Sequence, residues 1–502
     1  MEQGIQLSDL AHLAPELTLV ISAVIISLID LMMPKKTSRT IIGWLTLAGL
    51  VVAAVFVALR LQEAPVELLN QTYRVDNFGN LIKLLLLGST GLIVLMSVGW
   101  VKSKDIPHVG EYYYFYLPAV LGGMIMASSG DLITLFVGLE LLSITSYIMV
   151  AMKKKDGKSN EGAFKYTVLG GISSAMILYG MSFLYGMSGS TNLGEINAQL
   201  SLYSGSFGAL IYVAFFLLLA GFGFKIAAAP FHTWAPDVYQ GAPTPVTAFL
   251  AVVSKAAGLA LVFRVIYTVF FQLSASSSLP IEADVYLSLS VLAAISMIAG
   301  NFMALRQKNM KRLLAYSGIA NAGYLLVPIA TQFSLVHMNN FSEFIYYLVA
   351  YALMNIGAFA LLLMIEATSG TTELKGLAGL YYRAPWTAVA MVLIVLSLAG
   401  IPISAGFFGK LFILLGALET QLYWLAAIMI LTSVVSYYYY FGIIRQMFMR
   451  GGGEPEEVKA TVPLRITLWT CAGVGVVLGF YPGLLLNYVE SIFKLATDLF
   501  IY

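Results

Sequence analysis

Residues 222–258 read FGFKIAAAPFHTWAPDVYQGAPTPVTAFLAVVSKAAG and place two lysines, Lys225 and Lys255, within apolar runs. Pro230 lacks a backbone donor and crowds the carbonyl four residues back, at Ile226, so the helix carrying Lys225 is expected to break beside the lysine. Outward from this stretch the chain stays apolar: 59% of its 502 residues are hydrophobic, 11% are charged, and the mean hydropathy is +0.84. A soluble domain of that composition would expose far too much apolar surface, which leaves a polytopic membrane protein with the lipid bilayer as its surroundings.

The remaining composition removes other chemistries. A net charge of +2 gives no basis for a nucleic-acid partner. The single cysteine, Cys471, excludes disulfide scaffolds, iron-sulfur clusters and cysteine-based zinc sites. His12, His108, His232 and His337 are scattered, without the i, i+4 spacing of two ligands on one helix face, so no metal or cofactor is expected on this chain. Any redox chemistry belongs to another chain. The first apolar stretch follows acidic residues, Glu2 and Asp9, rather than the basic ones of a cleavable signal.

At about 20 residues per crossing, the apolar stretches predict 14 transmembrane helices: 13–33, 41–60, 78–101, 113–128, 131–152, 162–187, 207–240, 245–271, 285–305, 312–331, 341–366, 385–418, 421–444 and 464–487. Basic residues gather in alternate loops: Lys35, Lys36 and Arg39; Lys102 and Lys104; Lys153, Lys154, Lys155 and Lys158; Arg306, Lys308, Lys311 and Arg312; Lys375 and Arg383; Arg445, Arg450, Lys459 and Arg465. The positive-inside rule puts these loops in the cytoplasm and both termini outside, in keeping with an even count. The acidic stretch from Gly451 reads as a solvated loop.

Few charges remain inside the membrane, where each costs roughly 2.5 to 3.5 kcal/mol. Lys83, Arg264 and Glu366 lie near helix ends and are read as snorkelling. Glu140, Lys165, Lys225, Lys255 and Lys410 need another reason. Lys410 follows a second interrupted span, where Gly400, Pro402, Gly406 and Gly409 loosen the helix. The fourth helix of each five-helix set, spans 4–8 (113–271) and 9–13 (285–444), is thus broken beside a lysine. Because five is odd, two tandem copies would lie inverted, with 1–112 and 445–502 as flanking helices of a single membrane domain, 1–502. Burial and a neighbouring carboxylate pull a lysine's proton affinity in opposite directions, and water bridges groups too far apart to touch, so such a row suits proton transfer. The competing reading is a buried ion pair that only packs helices. His232, beside Pro230, is a candidate relay or a cap for freed carbonyls. The run Tyr437 to Tyr440 reads as packing and interface anchoring.

The quoted segment resembles the signature of the antiporter-like membrane subunits of respiratory complex I and of multisubunit cation/proton antiporters. So do LFVGLELLSITSYIMVA (135–151), SNEGAFKYTVLGGISSAMILYG (159–180) and LAGIPISAGFFGKLFIL (398–414). The resemblance implies an all-α bundle of 14 helices with inverted five-helix repeats, broken helices 7 and 12, and a hydrated axis of charged residues. In that pattern Glu140 matches the carboxylate of the fifth helix, Lys165 a lysine of the sixth, Lys225 that of the seventh, Lys255 that of the eighth and Lys410 that of the twelfth. It further implies a proton-translocating subunit of NADH:quinone oxidoreductase in a bacterial cytoplasmic membrane. NADH, FMN, iron-sulfur clusters and quinone would then be bound by partner subunits, and other antiporter-like and small membrane subunits would be neighbours. A subunit of a multisubunit Na+/H+ antiporter is the alternative.

Overall fold

The computed structural model describes residues 7–34, 36–101, 105–273, 280–331, 340–449 and 458–499. Lys35, Lys102, Lys104, His337, Arg450 and most of the acidic stretch, 451–457, lie outside the described residues.

Among the described residues twelve helices are long and apolar enough to cross a membrane. The two other expected spans are each split: the fourth into Val109–Tyr114 and Tyr116–Ala127, and the twelfth into Pro385–Ala399 and Ala405–Glu419. Polar residues placed just ahead of the apolar runs start several helices. Asp76 accepts from Gly79 N at 2.6 Å, Asp131 from Thr134 N at 2.6 Å and Asn309 from Arg312 N at 3.2 Å, each satisfying a donor that the first turn cannot.

Contacts between loops separate the two ends of the bundle. A short hairpin, Val66–Leu68 paired antiparallel with Tyr73–Val75, lies between the second and third spans. At that end Tyr73 bridges Ser129, Asp131 bridges Asn192, Arg60 meets His12, and Asn77 N donates to Asp498. The opposite end holds the bridge between Asn309 and Glu373, the Lys153–Glu366 pair and the bond from Lys459 N to Thr368. His12 and Asp498 therefore share one end, as an even number of crossings requires.

The first two spans form the rim and expose Ile21, Val24, Ile25, Val51 and Val55, as helices facing acyl chains do. The eighth span (Thr244–Val269), the tenth (Met310–Ala330) and the eleventh (Asn340–Ser369) are almost wholly enclosed. Those three carry Lys255 and most of the buried polar groups around it, so the centre of the bundle is where its polar residues concentrate.

Candidate functional site: three buried lysines at helix irregularities

The seventh span runs Leu193–Lys225 and ends at the lysine, as the proline predicts. The chain then turns through Ala227 at φ +56°, passes a cis Ala229–Pro230 bond and resumes as the short helix Ala235–Gly241. Protein groups meet the freed backbone: Ser296 Oγ accepts from Ala229 N at 2.9 Å, and the Trp234 indole donates to Phe224 O at 3.0 Å. Lys225 Nζ donates to Ser143 Oγ at 2.8 Å. Ser143 lies one turn beyond Glu140 on the fifth span, and Glu140 accepts from Ser174 on the sixth. Beside Lys225 is a cavity of about 10 Å³ lined by Ser143, Tyr147, Ser173 and Ser174, roomy enough for roughly one water.

Lys255 sits at a second irregularity. The eighth span opens as Thr244–Phe249, loosens into a π turn over Leu250–Ser254 and continues as Lys255–Val269. The Lys255 ammonium donates to Gly318 O on the tenth span at 2.5 Å and lies 5.8 Å from the Tyr351 ring centre.

At the third, Pro385–Ala399 is closed by Gly400 at φ +80°, a conformation that suits glycine. Ile403 at φ +75° completes the turn, and Ser404 caps Ala405–Glu419 through Phe407 N. Lys410 Nζ reaches back to Leu398 O and Ala399 O, both at 3.2 Å, and lies 5.0 Å from the Tyr324 ring centre. Those carbonyls form the C-terminal end of a half-helix, where the backbone dipoles favour a cation.

Other expected positions come out differently. Lys165 lies two turns into the 32-residue helix Gly157–Ser188, is partly exposed, and pairs with Glu161 at 2.7 Å and Asp237 at 2.6 Å rather than standing at mid-depth. Asp237 also meets Arg312 at 2.5 Å. Burial alone would raise the Asp237 carboxyl's pKa, but the two cations outweigh it and hold the group below the usual carboxylate range. No hydrogen bond joins His232 to Lys225 among the described residues, and His232 Nδ1 has no partner there.

Snorkelling is overturned for all three residues to which it was assigned. Lys83 is buried against Glu16 at 2.8 Å, with the Tyr73 hydroxyl bonded to both. Arg264 Nη2 donates to both Asp76 oxygens at 2.9 Å, and Glu366 pairs with Lys153 at 3.4 Å and accepts from Thr244. Lys83 and Arg264 find partners because the enclosed bundle supplies carboxylates where lipid would supply none. The tyrosine run divides: Tyr438 is exposed, whereas Tyr439 and Tyr440 are buried and bonded to Asn301 and Ser317. Among the described residues no three His, Cys, Asp or Glu side chains converge as a metal site requires.

Residues 129–436, which contain all three lysines and both breaks, match the NADH:quinone oxidoreductase/Mrp antiporter transmembrane family. This chain belongs to that family. A curated relative from Paenibacillus sp. (strain JDR-2), named NADH-quinone oxidoreductase subunit N, is 51% identical and covers 98% of each chain. A chain of respiratory complex I from Thermus thermophilus superimposes with a TM-score of 0.78 at 33% identity, covering 94% of this chain and 98% of that one. A chain of the Mrp complex from Dietzia sp. DQ12-45-1b shares the fold, with a TM-score of 0.83 at 19% identity over 99% and 98% of the two chains. The resemblance read from the motifs is borne out, and within that family the motifs look most similar to subunit N, in agreement with the relative's name.

Proposed function

We propose that this chain is a proton-translocating membrane-arm subunit of NADH:quinone oxidoreductase, working beside other membrane-arm subunits while electron transfer takes place on partner chains. NADH, FMN, iron-sulfur clusters and quinone belong to those partners in this reading. The observation that carries it is the row itself: Lys225, Lys255 and Lys410 each sit at a helix irregularity and each donate to a neutral oxygen. An ammonium held this way can give up its proton without stranding a paired carboxylate. Glu140 is the counter-charge of the first half, Lys225 and Lys255 are intermediate carriers, and Lys410 is the terminal one. Lys165 belongs to an ion-pair network at the end of the bundle that holds the basic loops and tunes entry to the row.

Two features support reading 113–271 and 285–444 as inverted repeats. The backbone bridge from Asp131 to Asn192 in the first set has its counterpart in the bridge from Asn309 to Glu373 in the second, at the opposite end of the bundle. Gly122 and Gly138 let spans four and five touch backbone to backbone, as Gly300 and Gly323 do for spans nine and ten. The gathering of basic residues in alternate loops supports reading both termini as lying on the outer face of a bacterial cytoplasmic membrane.

The test is proton pumping per NADH oxidised in inverted vesicles, with assembled complex quantified in the same membranes. Glu140→Gln should leave the complex assembled and lower that ratio several-fold. A ratio equal to wild type would remove Glu140 from the path. Copurification of flavin and iron-sulfur chains in mild detergent separates this reading from a redox-free antiporter.

A further inference from the structure

Among the described residues the hydrogen bonds of Lys255 and Lys410 go to backbone carbonyls, and hydroxyls and an amide stand between the two lysines. Ser317, Asn321, Tyr324, Tyr347, Tyr351 and Tyr440 are all almost completely buried. Each lysine lies over one of these rings, Lys255 over Tyr351 and Lys410 over Tyr324. Lys255 donates to the carbonyl of Gly318, the neighbour of Ser317, and Ser317 shares a 2.5 Å hydrogen bond with Tyr440. One turn further along the same helix, Asn321 Nδ2 donates to Ser317 O at 2.9 Å. That bond fixes the amide so that its oxygen faces the eleventh span, where the Tyr347 hydroxyl donates to it at 2.5 Å. The Tyr347 ring in turn presses on Gly409, the residue before Lys410, where no Cβ would fit.

A buried phenol is expensive unless it is bonded, and an amide packed among tyrosines in an enclosed helix is equally so. Simple packing would be served better by Leu and Phe. We propose that the Tyr347 hydroxyl, oriented by Asn321, is the neutral relay for proton transfer between Lys255 and Lys410. In the transfer an N–H bond of the protonated lysine breaks, and the proton reaches the phenol oxygen through water. The phenol's own proton gives up its hydrogen bond to the Asn321 oxygen and leaves through water toward the free amine of the other lysine, where a new N–H bond forms, and the remaining hydroxyl proton renews the bond to Asn321. Tyr347 ends neutral; one lysine has lost a proton and the other has gained one. Asn321 is a positioning residue, since its hydrogen bonds among the described residues go to the relay and to Ser317.

This inference rests on reading Lys255 and Lys410 as proton carriers, and the experiment separates the two. The assembled complex in inverted vesicles is assayed for protons pumped per NADH oxidised in Tyr347→Phe, Asn321→Leu, Asn321→Asp, Lys410→Ala and Tyr267→Phe. Tyr267 is an equally buried tyrosine whose hydroxyl bonds the carbonyl of Thr331 at 2.9 Å, outside the row, and its variant should pump as wild type does. Tyr347→Phe and Asn321→Leu should assemble and pump about tenfold less or worse. Asn321→Asp should retain at least about half of wild-type pumping, because a protonated carboxyl offers Tyr347 the same acceptor and Ser317 the same kind of donor. Normal pumping in Tyr347→Phe overturns the relay. If Tyr347→Phe does not assemble, the Asn321 pair decides: Asp active with Leu inactive supports the proposal, and equal behaviour of the two overturns it. Normal pumping in Lys410→Ala overturns the underlying assignment, whereas loss there with normal Tyr347→Phe overturns the relay alone.

Discussion

At the end of the bundle that gathers the hairpin and the C-terminal residues, buried cations meet carboxylates: Lys83 meets Glu16, and Arg264 and Arg74 both meet Asp76. At mid-depth, the hydrogen bonds of Lys225, Lys255 and Lys410 among the described residues go to a serine hydroxyl and to backbone carbonyls. The same desolvation penalty falls on both groups, and the answers differ. A carboxylate fixes the charge and the geometry together, so removing either partner leaves a bare ion behind. A neutral oxygen lowers the penalty while leaving the proton free to depart. On the reading proposed above, the first group holds the fold and the second changes charge within it.

The contrast can be broken most decisively by exchanging its members. Arg264→Met leaves Asp76 with Arg74 alone in a closed setting, a loss of about 3–5 kcal/mol, so little assembled complex should be recovered while each remaining complex pumps normally. Lys225→Met should do the reverse, giving assembled complex that pumps poorly. Native gels and pumping per NADH read both, and matching phenotypes would dissolve the distinction. A finer test removes one neutral acceptor. Ser143→Ala forfeits a bond to an ammonium worth about 1.5–3 kcal/mol, so the complex should assemble and its pumping should fall by a few-fold; an unchanged ratio would show that water replaces the hydroxyl.

The smallest effect is expected at Asp237, whose pairs with Lys165 and Arg312 are partly exposed. Asp237→Asn should lower the thermal stability of the complex by about 1 kcal/mol or less. Its depressed folded-state pKa means that the contribution is complete above the unfolded-state value and is lost only as acid protonates the group. The wild-type and variant melting difference should therefore stay flat from about pH 6 to about pH 8. A difference that vanished within that window would reverse the assignment.

The spans, both breaks and the three central lysines were legible in the sequence because an ammonium in an apolar run, beside proline or glycine, has few ordinary explanations. The π turn before Lys255 was not, since no proline or glycine marks Leu250–Ser254. Ser143 could have been found from its place one turn after Glu140, although hydroxyls are common in such helices. The partners of Lys83 and Arg264 could not, because Glu16 and Asp76 come from other helices far away in sequence. Lys165 misled because its helix is 32 residues long, so eight residues in is still near its end.

Glu140 occupies the same stripe of its helix as Ile133, Val137, Ile144 and Ile148, all of them exposed and suited to acyl chains. A carboxylate among them at bilayer depth costs a lone chain about 2.5–3.5 kcal/mol. A neighbouring protein laid over that stripe would relieve the penalty, so the newly inserted chain would be least stable before it finds company. The acid proposed to serve transport would then also favour completion of the assembly, and orphaned copies should be cleared from the membrane faster than escorted ones.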